Sequence, residues 1–173
     1  MEESIEIAKS YFKQNKFQNT IDICSKILES DRNVIEALKL KGKSLLATKR
    51  IEDARLYFNK VLTIRPDDYE SIKDIGNTYQ AINDIDTARN YYKKAIEINN
   101  NYAPALTNLG IIELAKGKKE EALSLLLKAT KSDPKLLPAW GNLATAYLKL
   151  QKTQEAEESI CKAIEINPNI YSS

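Results

Sequence analysis

The strongest constraint on this chain is a period of 34 residues. Pro66, Pro134 and Pro168 lie 68 and 34 residues apart, and the missing beat falls at Asn100 in the segment "IEINNN". A register begun at Met1 divides the chain into 1–34, 35–68, 69–102, 103–136 and 137–170 without an insertion, leaving Tyr171, Ser172 and Ser173 as a tail. A period of this length marks stacked supersecondary units, none of which can hide its apolar face alone.

The special residues keep the same phase. Gly42, Gly76 and Gly110 share the eighth place of their repeats with Ala8 and Ala144, and the twentieth place holds Thr20, Ala54, Ala88, Ala122 and Ala156. Glycine inside a helix costs about 1 kcal/mol relative to alanine, so its recurrence in one phase implies a compensating close contact between helices. Gly76 is accordingly expected against the second helix of its own repeat, near Ala88. Pro104 and Pro138 fall at the second place, where a helix can begin on proline without losing a hydrogen bond. Pro66, Pro134 and Pro168 fall at the thirty-second place, where a helix should stop. Between these marks each repeat carries two apolar stripes. In the last repeat Trp140, Leu143, Ala144 and Tyr147 follow i, i+3, i+4, i+7, and Ala156, Ile160, Ala163 and Ile164 form the second stripe. Asn15, Lys49, Asn83, Gly117 and Gln151 mark a turn at the fifteenth place. Each unit is therefore predicted to be a helix–turn–helix hairpin, and the chain an all-α solenoid forming one array over residues 1–170. Trp140 should pack on the preceding repeat near Leu126 and Ala129.

The same residues carry a family resemblance. A small residue at place eight, a large one at eleven (Tyr11, Leu45, Tyr79, Tyr147, with Glu113 departing), alanine at twenty, an apolar residue at twenty-four, and proline at thirty-two resemble the tetratricopeptide repeat. The resemblance spans nearly the whole chain. Departures gather early, at Ser4, Thr20, Arg32 and Lys41, in keeping with a capping first repeat.

Composition narrows the function. Charges nearly cancel, with 26 basic and 24 acidic residues, and the sign of the net charge alternates from repeat to repeat. No basic stripe emerges for a nucleic-acid backbone or an anionic membrane. No apolar run is long enough to span a bilayer, and the amphipathic, acidic start "MEESIEIAKSYFK" reads as a helix rather than a signal peptide. Cys24 and Cys161 lie too far apart to act as a metal pair, and both are expected to be buried or half-buried thiols in a cytoplasmic protein. Histidine is absent. That removes the commonest general base near neutral pH and the usual nitrogen ligand of zinc. The expectation is a non-catalytic protein with no cofactor and no metal.

The resemblance implies that the first helix of each hairpin lines a concave groove, presenting places two, five, six and nine. Those places supply Lys39, Lys43, Lys73 and Asn77 among acids in the first half, and Asn108 and Asn142 in a more neutral second half. A carboxamide offers donors and an acceptor together and can hold a peptide backbone of any sequence. The leading expectation is a protein-interaction scaffold holding a peptide or partner helix through these six residues. The alternatives are the substrate-targeting module of a larger enzyme such as a sugar transferase, whose groove asparagines Asn108 and Asn142 resemble, and an RNA-binding helical repeat. Some co-chaperones of the family carry a two-carboxylate clamp for acidic tails. Lys73, Asn77 and Asn108 occupy three of its five phases, but Pro138 and Asn142 stand where its remaining cations would be. A face carrying Ala144, Leu148, Ala163 and Ile164, with no capping helix after Pro168, is expected either to take a partner or a second copy, or to be covered by the rest of a longer protein of which this chain is a piece.

Overall fold

A computed structural model describes residues 2–168, so the tail at 171–173 lies outside the described residues. Ten helices and no strands occur among them: α1 (Glu2–Lys13), α2 (Phe17–Ser30), α3 (Ile35–Ala47), α4 (Ile51–Ile64), α5 (Tyr69–Ala81), α6 (Ile85–Ile98), α7 (Ala103–Ala115), α8 (Lys119–Ser132), α9 (Leu137–Lys149) and α10 (Thr153–Ile166). The chain is an all-α helical repeat solenoid, and it divides into two compact units, residues 1–91 and 92–173.

Two alternating connections write the period into the backbone. The turns at 14–16, 48–50, 82–84, 116–118 and 150–152 each hold the fifteenth-place residue at positive φ, between 58° at Asn15 and 80° at Gly117. In each turn the next amide donates back to the eleventh-place carbonyl, as Lys16 to Tyr11 and Lys118 to Glu113, both 2.9 Å. The fifteenth amide donates to the twelfth carbonyl, as Asn15 to Phe12 at 3.0 Å. This paired bonding closes a helix only if the chain turns left-handed at that place. The other connections, 31–34, 65–68, 99–102 and 133–136, open with an amide bonded to the twenty-seventh carbonyl, as Asp31 to Ile27 at 2.9 Å. Asp31, Asn99 and Asp133 also accept the amide two residues on through their side chains, which turns the chain into the next helix. Pro104 and Pro138 sit in the first turns of α7 and α9, as their phase predicts.

The apolar phases fill the core. In the first unit Ile5, Ala8, Cys24 and Ile27 cluster with Ala37, and Ile21, Leu45, Ala54 and Phe58 cluster with Ile75. In the second, Leu114, Ala122, Leu126, Leu143 and Ala146 form one cluster, with half-buried Trp140 and Tyr147 packed on it, while Leu106, Ala129 and Ala139 form another. Trp140 thus packs on the cluster that contains Leu126, while Ala129 belongs to the other. Full burial of each large apolar side chain contributes roughly 1.5–3 kcal/mol. Such burial requires a neighbouring hairpin, since the clusters join residues of successive repeats.

Two of the eighth-place glycines show the contact their phase implies, and two other expectations need correction. Gly42 and Gly110 each meet the second helix of their own repeat, at place twenty-four before place twenty: Gly42 faces the Phe58 ring, and Gly110 faces the Leu126 side chain with the Ala122 carbonyl farther off. A side chain four residues along the second helix reaches back over the gap that glycine leaves. Cys161 on α10 is exposed, not half-buried, whereas Cys24 is buried. Ala144 and Ala163 are buried as well, leaving Leu148 and Ile164 as the exposed members of their face.

Candidate functional site

The side chains at places two, five, six and nine do not form a loose fringe of solvated groups. In the first unit α3 and α5 run as neighbours and their polar residues interlock. Lys39 on α3 places its Nζ 3.2 Å from Asp68 and 2.5 Å from Glu70 on the following hairpin. One turn on, Lys43 approaches Asp74 Oδ2 at 3.8 Å. Lys73 lies 2.5 Å from Asp74 Oδ1, and Asn77 donates to the same oxygen at 3.3 Å. Lys9 makes the equivalent reach to Glu36 at 2.6 Å. A lysine on one first helix therefore meets a carboxylate at the start or middle of the next.

Burial separates these residues. Asp74 is almost wholly covered, and Ile5 and Thr107, also counted among the groove-facing places, are buried. Thr107 turns its hydroxyl onto the Ala103 carbonyl at 2.8 Å, which satisfies the group inside its own helix. Lys39, Lys43, Lys73, Asn77, Asn108 and Asn142 all stay partly exposed. Asn142 donates to the Pro138 carbonyl at 2.7 Å. Lys39 and Lys43 border a cleft of about 550 Å³, together with Glu36, Leu40, Arg65 and Glu70.

Asp68 holds that corner in place. It caps α5 by accepting the Ser71 amide at 2.8 Å while it pairs with Lys39. Burial pushes its carboxyl up, but the Ser71 amide and the Lys39 ammonium outweigh burial and hold its pKa below the usual 3.8. Burial likewise pushes Lys39 down, and Glu70 with Asp68 reverses this, raising it above 10.5.

The sequence sets Lys39, Lys43 and Lys73 facing glutamates and Asp74, and the structure adds which carboxylate each lysine meets. Glu36 and Glu70 recur at place two, following Lys9 and Lys39 of the preceding repeats. The aromatic cluster was missed: Tyr79 stacks on Tyr91 with centroids 5.4 Å apart, and the Arg55 guanidinium lies 4.1 Å from the Tyr79 centroid. No group of histidine, cysteine and carboxylate side chains suited to a metal ion occurs among the described residues. None of the described helices is long and apolar enough to cross a membrane.

Comparison with known families settles what this architecture is. Models of the tetratricopeptide repeat match residues 35–68, 81–136 and 137–170, and the first and last of these ranges coincide with the sequence register. The chain belongs to the tetratricopeptide repeat family. Solved structures agree with this in fold. MamA is 23% identical, with a TM-score of 0.68 over 96% of this chain and 98% of that one. YrrB, described as a tetratricopeptide repeat protein with an unusual peptide-binding site, is 24% identical, with a TM-score of 0.61 over 96% of this chain and 86% of its own. A thermophilic tetratricopeptide repeat protein of Thermus thermophilus is 17% identical with a TM-score of 0.84, over 99% and 93% of the two chains. No curated protein matches the sequence of this tetratricopeptide repeat chain.

Proposed function

We propose that the chain is a non-catalytic scaffold that binds a peptide segment or partner helix along the first helices of its hairpins, as a single array of five repeats over residues 1–170. The cleft bordered by Lys39 and Lys43 carries this reading, because it joins apolar Leu40 to charges already held in register by Asp68 and Glu70. Side chains fixed before binding lose less entropy when a ligand arrives, so such a surface suits recognition. The lysines are paired, so a ligand must compete with Asp68 and Glu70 for Lys39 and with Asp74 for Lys43 rather than meet bare cations. That favours segments gripped through backbone and amide contacts, with Asn77, Asn108 and Asn142 as the amide donors and acceptors. The peptide-binding site of YrrB, a protein of this fold, supports the reading.

Selection from a displayed random-peptide library, followed by calorimetry of the recovered peptides, tests it. Lys39→Glu should weaken them about tenfold, and Asn108→Ala and Asn142→Ala by smaller factors. Failure to recover any peptide sensitive to these substitutions would overturn the proposal. Exposed Leu148 and Ile164 favour self-association as a lesser part of this reading. Sedimentation over a wide concentration range, finding only monomer, would remove it.

A further inference from the structure

In the second unit a cleft of about 740 Å³ opens between α8 and α10. Leu127, Trp140 and Tyr147 give it apolar walls, and Glu155, Glu157 and Glu158 stand along its α10 side. This cleft involves different residues from those of the proposed groove. Its volume lies within the ~300–1,000 Å³ typical of ligand-holding clefts.

The aromatic wall is fixed and apolar. Trp140 donates its indole N–H to the Pro134 carbonyl at 2.9 Å, so its polar handle is spent inside the chain. Leu127 remains 43% exposed and extends the apolar wall beside the ring. Burial, then Glu155 and Glu158, raise the Tyr147 phenol above its usual 10, so the ring stays neutral beside those carboxylates.

The acidic wall is short of internal counter-charges. Glu157 and Glu158 are exposed and enter no ion pair among the described residues, and Glu155 meets Lys152 only at 3.9 Å. Lys162, which also lines the cleft, is committed to Glu165 at 2.8 Å. A contrast comes from the corresponding cleft between α2 and α4 in the first unit. There Lys41 takes the place that Leu143 holds in the second; its Nζ lies 4.6 Å from the Tyr57 centroid and donates to Ser25 at 2.7 Å. A lysine and a tyrosine thus already occupy the first-unit cleft, while in the second unit an apolar leucine stands where that cation would be.

We propose that the α8–α10 cleft docks a cationic segment of a partner protein, whose large apolar side chain enters between Leu127, Trp140 and Tyr147 while its lysines or arginines meet Glu155, Glu157 and Glu158. Charge complementarity selects this occupant. An acidic or neutral apolar segment would leave Glu157 and Glu158 without a counter-charge, whereas a cationic one supplies it and strengthens the loose pairing of Glu155.

Trp140 is the chain's single tryptophan and Cys161 lines the same cleft, so two reporters are built in. The probes are tryptophan-free amphipathic peptides carrying lysines and a phenylalanine or leucine anchor, with glutamate-for-lysine counterparts of the same pattern. The basic peptides should shift Trp140 emission to the blue and protect Cys161 from iodoacetamide. The double variant Glu157→Lys, Glu158→Lys changes two exposed helix positions and should weaken binding at least about tenfold, as should raised salt to a lesser degree. Lys39→Glu should leave it unchanged, which separates this site from the proposed groove. Four results would overturn the proposal: no binding by the basic peptides, binding that leaves both reporters unmoved, equal binding of the acidic counterparts, or a dimer abolished by the double variant, which would make a second copy the occupant.

Discussion

The Phe58 ring lies so close over Gly42 that a β-carbon there would stand 2.6 Å from its Cε1 and 2.9 Å from its Cζ. Phe58 is wholly buried and cannot swing aside. Alanine at this helical position would gain about 1 kcal/mol in propensity, but overpacking of this kind costs roughly 1–3 kcal/mol. Gly42→Ala should therefore destabilise, while Gly141→Ala, with nothing within 4 Å of its added carbon, should stabilise by about 1 kcal/mol. Urea melts of the two variants showing the same sign would refute the assignment of Gly42 to close helix contact.

The five left-handed turn residues invite a second comparison. Lys49 and Gln151 sit at φ of 61° and 59°, in a place where a side chain is penalised and glycine is not. Lys49→Gly and Gln151→Gly should each stabilise by about 0.5–1 kcal/mol, whereas Gly117→Ala, at φ 80°, should cost a similar amount. Thermal unfolding reads the difference directly.

Much of this was legible because 34-residue periodicity couples local chemistry to packing. A turn at place fifteen and a stop before place thirty-two are dictated by residues within a few positions, and these the sequence shows. What lies across the hairpin was harder to read. The partner of Gly42 depends on how far Phe58 reaches, and the exposure of Cys161 depends on the rotation of α10 about its axis. Lys39, Lys43 and Lys73 were legible as lying opposite glutamates and Asp74, but the individual partners were not, because they depend on how one helix sits beside the next and on the burial of Asp74.

Asp68 and Lys39 give a pH signature with two edges. The folded-state pKa of Asp68 lies below its ordinary 3.8, so its contribution is present above that value and lost as pH falls through the folded pKa. Lys39 is raised above 10.5, so its contribution is present below that value and lost as pH rises through the folded pKa. Asp68→Asn keeps a capping side chain on α5 but removes the charge, and should cost about 1 kcal/mol at neutral pH. The gap between variant and wild type should close in acid. A gap that persists unchanged at the lowest pH where both fold would show that the charge is not its source.

The two thiols should differ in reactivity. Burial pushes Cys24 up to about 11, against a smaller opposing pull from Lys41, and the side chain has no exposed surface. Cys161 is exposed on α10. Titration with an aromatic disulfide reagent on the native protein should find one fast thiol, lost in Cys161→Ser. Two fast thiols would mean that the first hairpin opens readily.

The last expectation concerns acidic tails of chaperones. The two-carboxylate clamp that Lys73, Asn77 and Asn108 resemble needs cations free to meet incoming charge, and two of its phases hold Pro138 and Asn142 instead. The structure removes a further part. Lys73 is held 2.5 Å from Asp74, whose nearly buried carboxylate also receives Asn77, so this lysine is already engaged rather than free to meet an incoming charge. Charge-assisted bonds are about twice as strong as neutral ones, and losing such bonds costs a few kcal/mol, on the order of a hundredfold in affinity. Titration with an acidic C-terminal chaperone peptide should therefore show no low-micromolar binding. Asp74→Asn removes the competing carboxylate and should improve whatever weak binding remains. Tight binding by the wild type, lost on Lys73→Ala, would show that the ion pair with Asp74 opens to admit the tail.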